Sequence, residues 1–362
     1  MRRRLAILRA MSWFDRLVGL FSLDLGIDLG TANTLCAVKG RGVVISEPSV
    51  VAVKKGTKQV IEGPNGEAVG DQAKVMLGKN PGTIDVIKPL KDGVIADLEI
   101  TEHMLRYFIR KASGGRRLIP PRVVVAVPSG INEVEKGAVT NSTRKAGARE
   151  VFLLQEPLAA AIGAGLPVAE PVGSMIVDIG GGTTEVAVIS MVGIVTSESV
   201  RCAGDEIDHA IIKYLKSQYS VVIGENTAEQ VKIQIGSAIP PPEELRMTIK
   251  GRDLRTGLPH QLDITSSEIA EAIRPQVQTI VGAVKMVLER TAPELAADLI
   301  ERGITLAGGT SQLRGLPELI ARETRLPVFV AADPMTCVAR GCAALLEDLD
   351  ALKQILEAGV QQ

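Results

Sequence analysis

Two short stretches carry the residue types that phosphate chemistry asks for. Phosphate oxygens need backbone N–H donors that approach closely, small hydroxyls that hydrogen-bond them, and a carboxylate that holds Mg²⁺ through water. Gly30, Thr31, Ala32, Asn33 and Thr34 follow Asp28; Gly180, Gly181, Gly182, Thr183 and Thr184 follow Asp178. Each set supplies all three, and two such loops facing one another would clamp a triphosphate from both sides. Either loop alone reads equally well as a plain glycine-rich hairpin. The repetition argues against that.

Residues 26–38 read GIDLGTANTLCAV and residues 176–188 read IVDIGGGTTEVAV. At one constant offset Asp28 meets Asp178, Gly30 meets Gly180, Thr34 meets Thr184, Ala37 meets Ala187 and Val38 meets Val188. Each copy is an apolar run, a tight turn and a second apolar alternation, which predicts a β-hairpin whose turn exposes backbone amides. Each half of the chain therefore begins with the same unit. A third glycine-rich turn, Thr305–Leu313, follows an apolar strand and opens a helix, where backbone can pass close to a flat base or ribose. Two common alternatives fail. Gly78-Lys79 is followed by Asn80 and has Ala73 where a P-loop needs its first glycine, and no G-x-G-x-x-G follows a strand and opens a helix.

The elements around these turns alternate. Val43–Val53 and Arg122–Pro128 read as strands, and Thr101–Ala112, Asn132–Ala146 and Pro157–Ala164 as helices, which predicts an α/β fold with helix-covered sheets. Asn132-Glu133-Val134-Glu135 is a capping box. In the second half, Glu206–Tyr219 and Thr227–Ile239 read as helices, the latter stopped by Pro240–Pro242. Leu245–Ile264 reads as short strands turning at Thr256–Pro259, and Ser267–Arg290 as a long helix. A small subdomain is expected there.

At 362 residues the chain is long enough for two domains. Apolar residues at 46% and charged residues at 23% exclude global disorder, and 2% aromatics leave the cores to Val, Ile, Leu and Ala. With 41 basic against 42 acidic residues and no basic stripe, nucleic acid is not expected as a partner. Cys36, Cys202, Cys337 and Cys342 are scattered and form no metal motif, which fits a reduced cytosolic compartment. No run reaches the ~18 apolar residues of a spanning helix.

The N-terminus is amphipathic. Ile7, Met11, Phe14, Val18 and Phe21 share one side of a helical wheel, Arg9, Ser12, Asp15, Arg16 and Gly19 another, and Trp13 and Leu17 add apolar bulk. Such a helix would lie in the membrane interface. A signal peptide fits less well, because Asp15 and Arg16 interrupt the apolar run and no small-residue cleavage site follows before the strand at Gly26.

GIDLGTANT, DIGGGTTE and LAGGTSQLRG, in this order and spacing, resemble the two phosphate motifs and the adenosine motif of the superfamily of actin, Hsp70 chaperones and sugar kinases. Within it, EPSVVAV (47–53), KPLKDGVIAD (88–97), MLRYFIRKA (104–112), EPLAAAIGAGLP (156–167), VAVISMVGIV (186–195) and TAEQVKIQIG (227–236) resemble the bacterial MreB family, from about Leu25 to the C-terminal helix.

The resemblance implies an actin-like ATPase fold: two large duplicated domains, each with a smaller subdomain, closing over ATP and Mg²⁺ in a central cleft. Its boundaries would be an N-terminal membrane helix at 1–22, domain I at 23–165 with a small subdomain at about 51–90, domain II at 166–350 with one at about 205–265, and a tail at 351–362. The helices at Pro157–Ala164 and Thr336–Leu346 would connect the domains.

By resemblance, Thr31, Ala32 and Asn33, with Asp28 and Gly30, are first-loop contacts, and Gly180, Gly181, Gly182 and Thr183 second-loop contacts. Glu229, Gln230, Val231 and Lys232 resemble the nucleoside contacts, joined by Gly308, Gly309, Thr310, Ser311 and Gln312. Asp28 and Asp178 would hold Mg²⁺ through water. Glu135 matches the position that orients the attacking water, so Glu135, Thr183 and Asp178 form the expected catalytic set. Leu118-Ile119 match a loop that is pressed into the bilayer; alone they read as a turn packed on the core.

The implied function is a membrane-associated ATPase that polymerises on the inner face of the cell membrane and guides peptidoglycan synthesis. Its implied partners are itself, the membrane surface, and the elongation proteins MreC, MreD and RodZ. The residues leave ATP and GTP both open, and the start at Met1 or Met11. A sugar kinase of the same fold has no use for a membrane-seeking N-terminus, and an Hsp70 chaperone needs a peptide-binding domain for which nothing remains after Leu346.

Overall fold

The computed structural model describes residues 23–63, 66–115 and 119–347. The expected membrane helix with Trp13, Phe14, Leu17 and Phe21, Leu118 of the apolar loop, and the tail at 351–362 lie outside the described residues.

Two five-stranded sheets organise the chain. In the first, β1 (Leu25–Leu29), β2 (Asn33–Val38) and β3 (Gly42–Pro48) form an antiparallel meander, and β4 (Arg122–Val127) and β5 (Glu150–Gln155) extend it in parallel from β1. Its order is β3-β2-β1-β4-β5. The second repeats the plan with β6 (Ser174–Ile179), β7 (Thr184–Ser190), β8 (Gly193–Val200), β9 (Ile304–Ala307) and β10 (Val328–Val330), in the order β8-β7-β6-β9-β10. The duplication visible at 26–38 and 176–188 thus spans both sheets, with strand directions repeated. Every residue of β4 and of β6 is buried, as central strands covered on both faces must be.

The predicted strand Val43–Val53 is broken. β3 stops at Pro48, which has no N–H to continue a ladder, and Val51–Lys54 pairs instead with Ile84–Ile87 in a separate sheet. Ser49, between them, braces the first glycine turn: its N–H donates to the Ala32 carbonyl (3.0 Å) and its hydroxyl to the Gly30 carbonyl (2.6 Å). The predicted helix Thr227–Ile239 runs over Glu225–Ile235 and stops at Gly236, short of the prolines. Ser237 there bridges to Arg314.

Six helices matter for the site and its support besides Glu225–Ile235, which we label α5: α1 (Leu98–Ala112), α2 (Glu133–Lys145), α3 (Glu156–Gly163), α4 (Gly204–Tyr219), α6 (Ser266–Arg290) and α7 (Cys337–Glu347). α3 follows β5 and α7 follows β10, so they occupy equivalent places in the two halves. They cross against each other where neither has a side chain: a Cβ on Gly163 would overlap the Cys337 carbonyl, and one on Gly341 the Ala159 carbonyl. Around the crossing, Val124 and Ala126 of the first sheet join Ile176, Ala187 and Ile189 of the second in one apolar cluster with Leu158, Val338 and Leu346. Each half also has its own core, centred on Phe108 and Met104 in the first and on Ile207, Ile211 and Ile273 in the second.

Gly341→Ala should force the crossing apart at a cost of about 1–3 kcal/mol, lowering Tm by about 3–8 °C. Gly282→Ala, in the exposed interior of α6 with nothing within 4 Å of its added carbon, should hold or raise Tm. Equal melting of the two variants would show that the glycine crossing does not limit the packing.

Candidate phosphate-binding site

Asp28 and Asp178 are the penultimate residues of β1 and β6. Each faces an alanine on its parallel neighbour, Ala126 and Ala307, while its antiparallel partner is Leu35 for one and Glu185 for the other. Small neighbours leave space at the ends of the strands, where each chain turns into its glycine loop.

The two loops touch. A Cβ on Gly181 would lie 2.5 Å from the Ala32 side chain, and one on Gly182 would lie 2.6 Å from Thr31 Oγ1. Backbone of the second loop therefore runs against the first, and only glycine permits the approach. The loops are braced on both flanks. Thr34 Oγ1 and Ser49 Oγ lie 2.8 Å apart under the first loop. Under the second, the Gly180 N–H donates to the Thr183 carbonyl (2.9 Å) and the Thr184 hydroxyl to the Cys202 carbonyl (2.7 Å).

The start of α4 takes the other second-loop carbonyls. The Gly204 N–H donates to Gly180 O (3.2 Å) and the Asp205 N–H to Gly181 O (2.8 Å). The third glycine turn joins at the same atom, because the Thr310 hydroxyl also donates to Gly180 O, at 2.7 Å. Ser311 closes its own turn on the Gly308 carbonyl, the Gly308 N–H meets Pro334 O, and Gln312 reaches Gly309 O from an exposed position. All three sequence motifs thus meet at one place.

The predicted nucleoside group is less uniform. Lys232 is close to the loops but occupied, donating to Gly204 O (3.0 Å) and to Asp208 Oδ2 (2.8 Å). Glu229 accepts from Lys74 across the cleft at 3.0 Å. Gln230 is exposed and accepts from Gln234. The Val231 side chain is fully buried in the second-half core, so only its backbone is available to a ligand.

Glu135 caps α2. Its Oε2 accepts the Asn132 N–H at 2.9 Å while its own N–H donates to Asn132 Oδ1, the reciprocal capping box that the sequence predicts. It is half-buried and lines a pocket with Gly93, Val94, Ile95, Pro128 and Ile131. Ile119 is half-buried.

Several residues at the site carry no sequence motif of their own. Glu156 opens α3 and Glu185 follows Thr184, and both are buried near the two aspartates. Glu185 accepts from Ser129 Oγ (2.6 Å) and Ser199 Oγ (2.5 Å). Desolvation pushes Asp28 up to about 7. It pushes Asp178 up to about 8, helped by the charges of Asp28 and Glu185. Glu156 is held well above the usual carboxylate range by desolvation first, then by Glu185, Asp28 and Asp178. At the mouth of the cleft Lys88 pairs with Glu225 at 2.8 Å, beside Asp205, Asp208 and His209. The one sequence signal for Glu185 was its place directly after the second loop; Glu156 and Lys88 gave none beyond the family wording, and Lys74 gave none.

The chain matches the model of the MreB/Mbl protein family over residues 22–354. It is 53% identical over 336 residues to the cell shape-determining protein MreB of Escherichia coli strain K12, covering 92% of this chain and 95% of that one. It is 48% identical to the cell shape-determining protein Mbl of Bacillus subtilis strain 168, covering 92% and 98%. Among solved structures, MreB5 of Spiroplasma citri bound to ADP superposes with a TM-score of 0.85 at 38% identity, covering 92% of this chain and 98% of that one. The same protein bound to AMPPNP superposes with a TM-score of 0.84. The sheets and helices described above are accordingly those of the actin-like ATPase fold, and the chain belongs to the MreB/Mbl family.

Proposed function

We propose that the protein is an ATP-dependent, membrane-associated, filament-forming actin-like cytoskeletal protein. It maintains rod shape by organising peptidoglycan synthesis, with slow ATP hydrolysis coupled to polymerisation. The observation that carries this is the close contact between the two duplicated glycine loops, Gly30–Asn33 and Gly180–Thr183, with a desolvated carboxylate beneath each. It is supported by relatives named as cell shape-determining proteins and by a structural neighbour bound to ADP and AMPPNP.

Residues 23–165 and 166–350 would form the two domains, with small subdomains at about 51–90 and 205–265, and the nucleotide would enter between them. Thr31, Ala32, Asn33, Gly181, Gly182 and Thr183 would hold the phosphates, and Gly308–Ser311 with Glu229 and Lys232 the nucleoside. The residues fit a divalent cation: oxygen donors are what Mg²⁺ takes, and burial leaves Asp28 and Asp178 short of a positive partner. Among the described residues no three His, Cys, Asp or Glu side chains are arranged to hold a metal ion between them, so most of its ligands would be water and phosphate. Bound there, Mg²⁺ supplies neutralisation of phosphate charge. Glu135 would orient the attacking water.

No helix among the described residues is long and apolar enough to cross a membrane. The proposed location is peripheral, on the inner face of the cell membrane, through the amphipathic N-terminus and Leu118-Ile119, and the proposed partners are further copies of the chain and the wall-elongation machinery.

Purified protein incubated with Mg-ATP and anionic vesicles should pellet as filaments lying on the vesicles in electron micrographs. Replacing Trp13 and Phe14 by Glu should release it from lipid, since each buried large side chain contributes ~1.5–3 kcal/mol. A protein that stays soluble and phosphorylates a small sugar would replace this function with a kinase.

Glu135→Gln keeps the capping box and removes the charge; it should slow phosphate release about 100-fold and leave nucleotide affinity within about twofold. Glu135→Ala should match it in turnover while also losing the cap. Normal turnover in Glu135→Gln would leave Glu135 as a helix cap alone.

The raised carboxylates also make pH a probe. A group whose folded pKa lies above its unfolded value costs nothing below the unfolded pKa, and destabilises increasingly as pH rises towards the folded one. The nucleotide-free protein should therefore lose Tm between about pH 5 and pH 8, by about 5 °C, and Asp178→Asn should flatten the slope. Mg-ADP should remove most of the loss in the native protein. A pH-independent Tm would mean that the cluster is already neutralised within the fold.

A further inference from the structure

The two hairpins differ opposite their aspartates: Leu35 faces Asp28, and Glu185 faces Asp178. Leu35 is buried in an apolar cluster with Ala37 and with Ala339 and Ala343 of α7. Glu185 is buried as well, at 1% exposure, in a ladder row that runs from Asp178 through Glu185 to Ser199. A carboxylate costs more to bury than a leucine unless hydrogen bonds compensate it, so its presence where the copy has an apolar residue calls for a reason.

Its partners supply one. Glu185 Oε1 accepts from Ser199 Oγ (2.5 Å) within its own sheet, while Oε2 accepts from the Ser129 hydroxyl (2.6 Å) and the Ser129 N–H (3.3 Å). Ser129 belongs to the other half. It follows β4 and Pro128 and stands three residues before the Asn132 cap of α2. Side chain and backbone of that loop are thus both fixed on one carboxylate oxygen. The loop also lies against the second sheet, since a Cβ on Gly130 would meet Ser199 Cβ at 3.9 Å. Along its own strand Glu185 follows Thr183 and Thr184 of the second glycine loop, and the Thr184 hydroxyl is held by the Cys202 carbonyl. One side chain therefore joins the strand that leaves the second loop to the chain that enters α2.

We infer that Glu185 is a positioning residue, which ties the start of α2 to the sheet carrying the second loop and so holds Glu135 in register with Thr183 across the junction of the two halves. This rests on the ATP hydrolysis proposed above. A group that orients water loses much of its effect when it is displaced by about 1 Å, and here the group and the loop come from different halves. The capping bond sets the conformation of Glu135; the bonds from Ser129 to Glu185 set where the helix that carries it begins.

The test is single-turnover hydrolysis of Mg-ATP by the full chain, run beside calorimetric affinity for Mg-ADP. Glu185→Leu, which places in the second hairpin the residue that the first one holds, should slow hydrolysis about 100-fold and leave Mg-ADP affinity within about twofold. Glu185→Gln should recover most of that loss, because its carbonyl oxygen still accepts from Ser129 and its amide donates to Ser199. Ser129→Ala should slow hydrolysis about tenfold, and adding it to Glu185→Leu should cost nothing further. Native hydrolysis in Glu185→Leu, no rescue by glutamine, a matching loss of Mg-ADP affinity, or additive effects would each overturn the inference and leave the proposed function standing. Native protein that hydrolyses no ATP would overturn the proposed function, and the inference with it. If Glu185→Leu does not fold, Ser129→Ala decides, together with amide exchange over residues 133–137: exchange should be faster in Ser129→Ala than in the native protein, and equal exchange would overturn the positioning role.

Discussion

The contact of Gly181 and Gly182 with Ala32 and Thr31 is the constraint on which the molecule is organised. The second loop can lay its backbone against the Ala32 and Thr31 side chains only if it carries no side chain at the point of approach, and only if both loops are held from behind. Ser49 holds the first and the N-terminus of α4, with Thr310, holds the second. The sheets follow from this. Each loop is the turn between the central strand and its antiparallel neighbour, so placing the loops face to face fixes how the two sheets meet. The glycine crossing of α3 and α7 then brings the halves to the required distance from below.

The same approach concentrates negative charge. Asp28, Glu156, Asp178 and Glu185 are carried to one junction, and three of them are pushed towards their neutral forms. The ion pairs that span the cleft, Lys74–Glu229 and Lys88–Glu225, are part-exposed and contribute about 0–1 kcal/mol each. They do not offset the burial of like charges. The proposed cation between the halves would relieve that burial. That is the physical reason to expect closure of the cleft to depend on a ligand more than on contacts between the protein's own surfaces.

Much of this was legible in the sequence because the duplication is written in local residue types. Glycines and hydroxyls at fixed offsets from an aspartate announce a loop wherever they occur, and the copy at 176–188 announced the second sheet. What was not legible depends on tertiary placement. The strand expected through Val43–Val53 breaks because Pro48 and Ser49 are committed to the first loop, a demand invisible to an apolar count. Val231 falls on the buried face of α5 while Lys232, one residue on, reaches the loops; a motif copied as a block cannot separate the two. Lys232 was expected, by resemblance, at the nucleoside, and in the structure it pairs with Asp208, one helix away. Glu156 stands at the head of a helix whose apolar composition reads simply as core, and only the fold brings its carboxylate under the influence of three others.

The proposed chemistry of Glu135 would share a side chain with an observed structural role. As a cap it engages a single oxygen, Oε2, with the Asn132 N–H; Oε1 makes no hydrogen bond among the described residues. A free carboxylate on an exposed helix start samples several rotamers, and each must be abandoned before a water can be oriented. The capping bond removes that freedom in advance, at no loss of the second oxygen's acceptor capacity. The reciprocal bond that the sequence explained as ordinary helix chemistry is thus also what would hold a water-orienting carboxylate in one conformation. Cap and proposed catalyst are compatible accounts of Glu135, because the first would supply the order that the second requires.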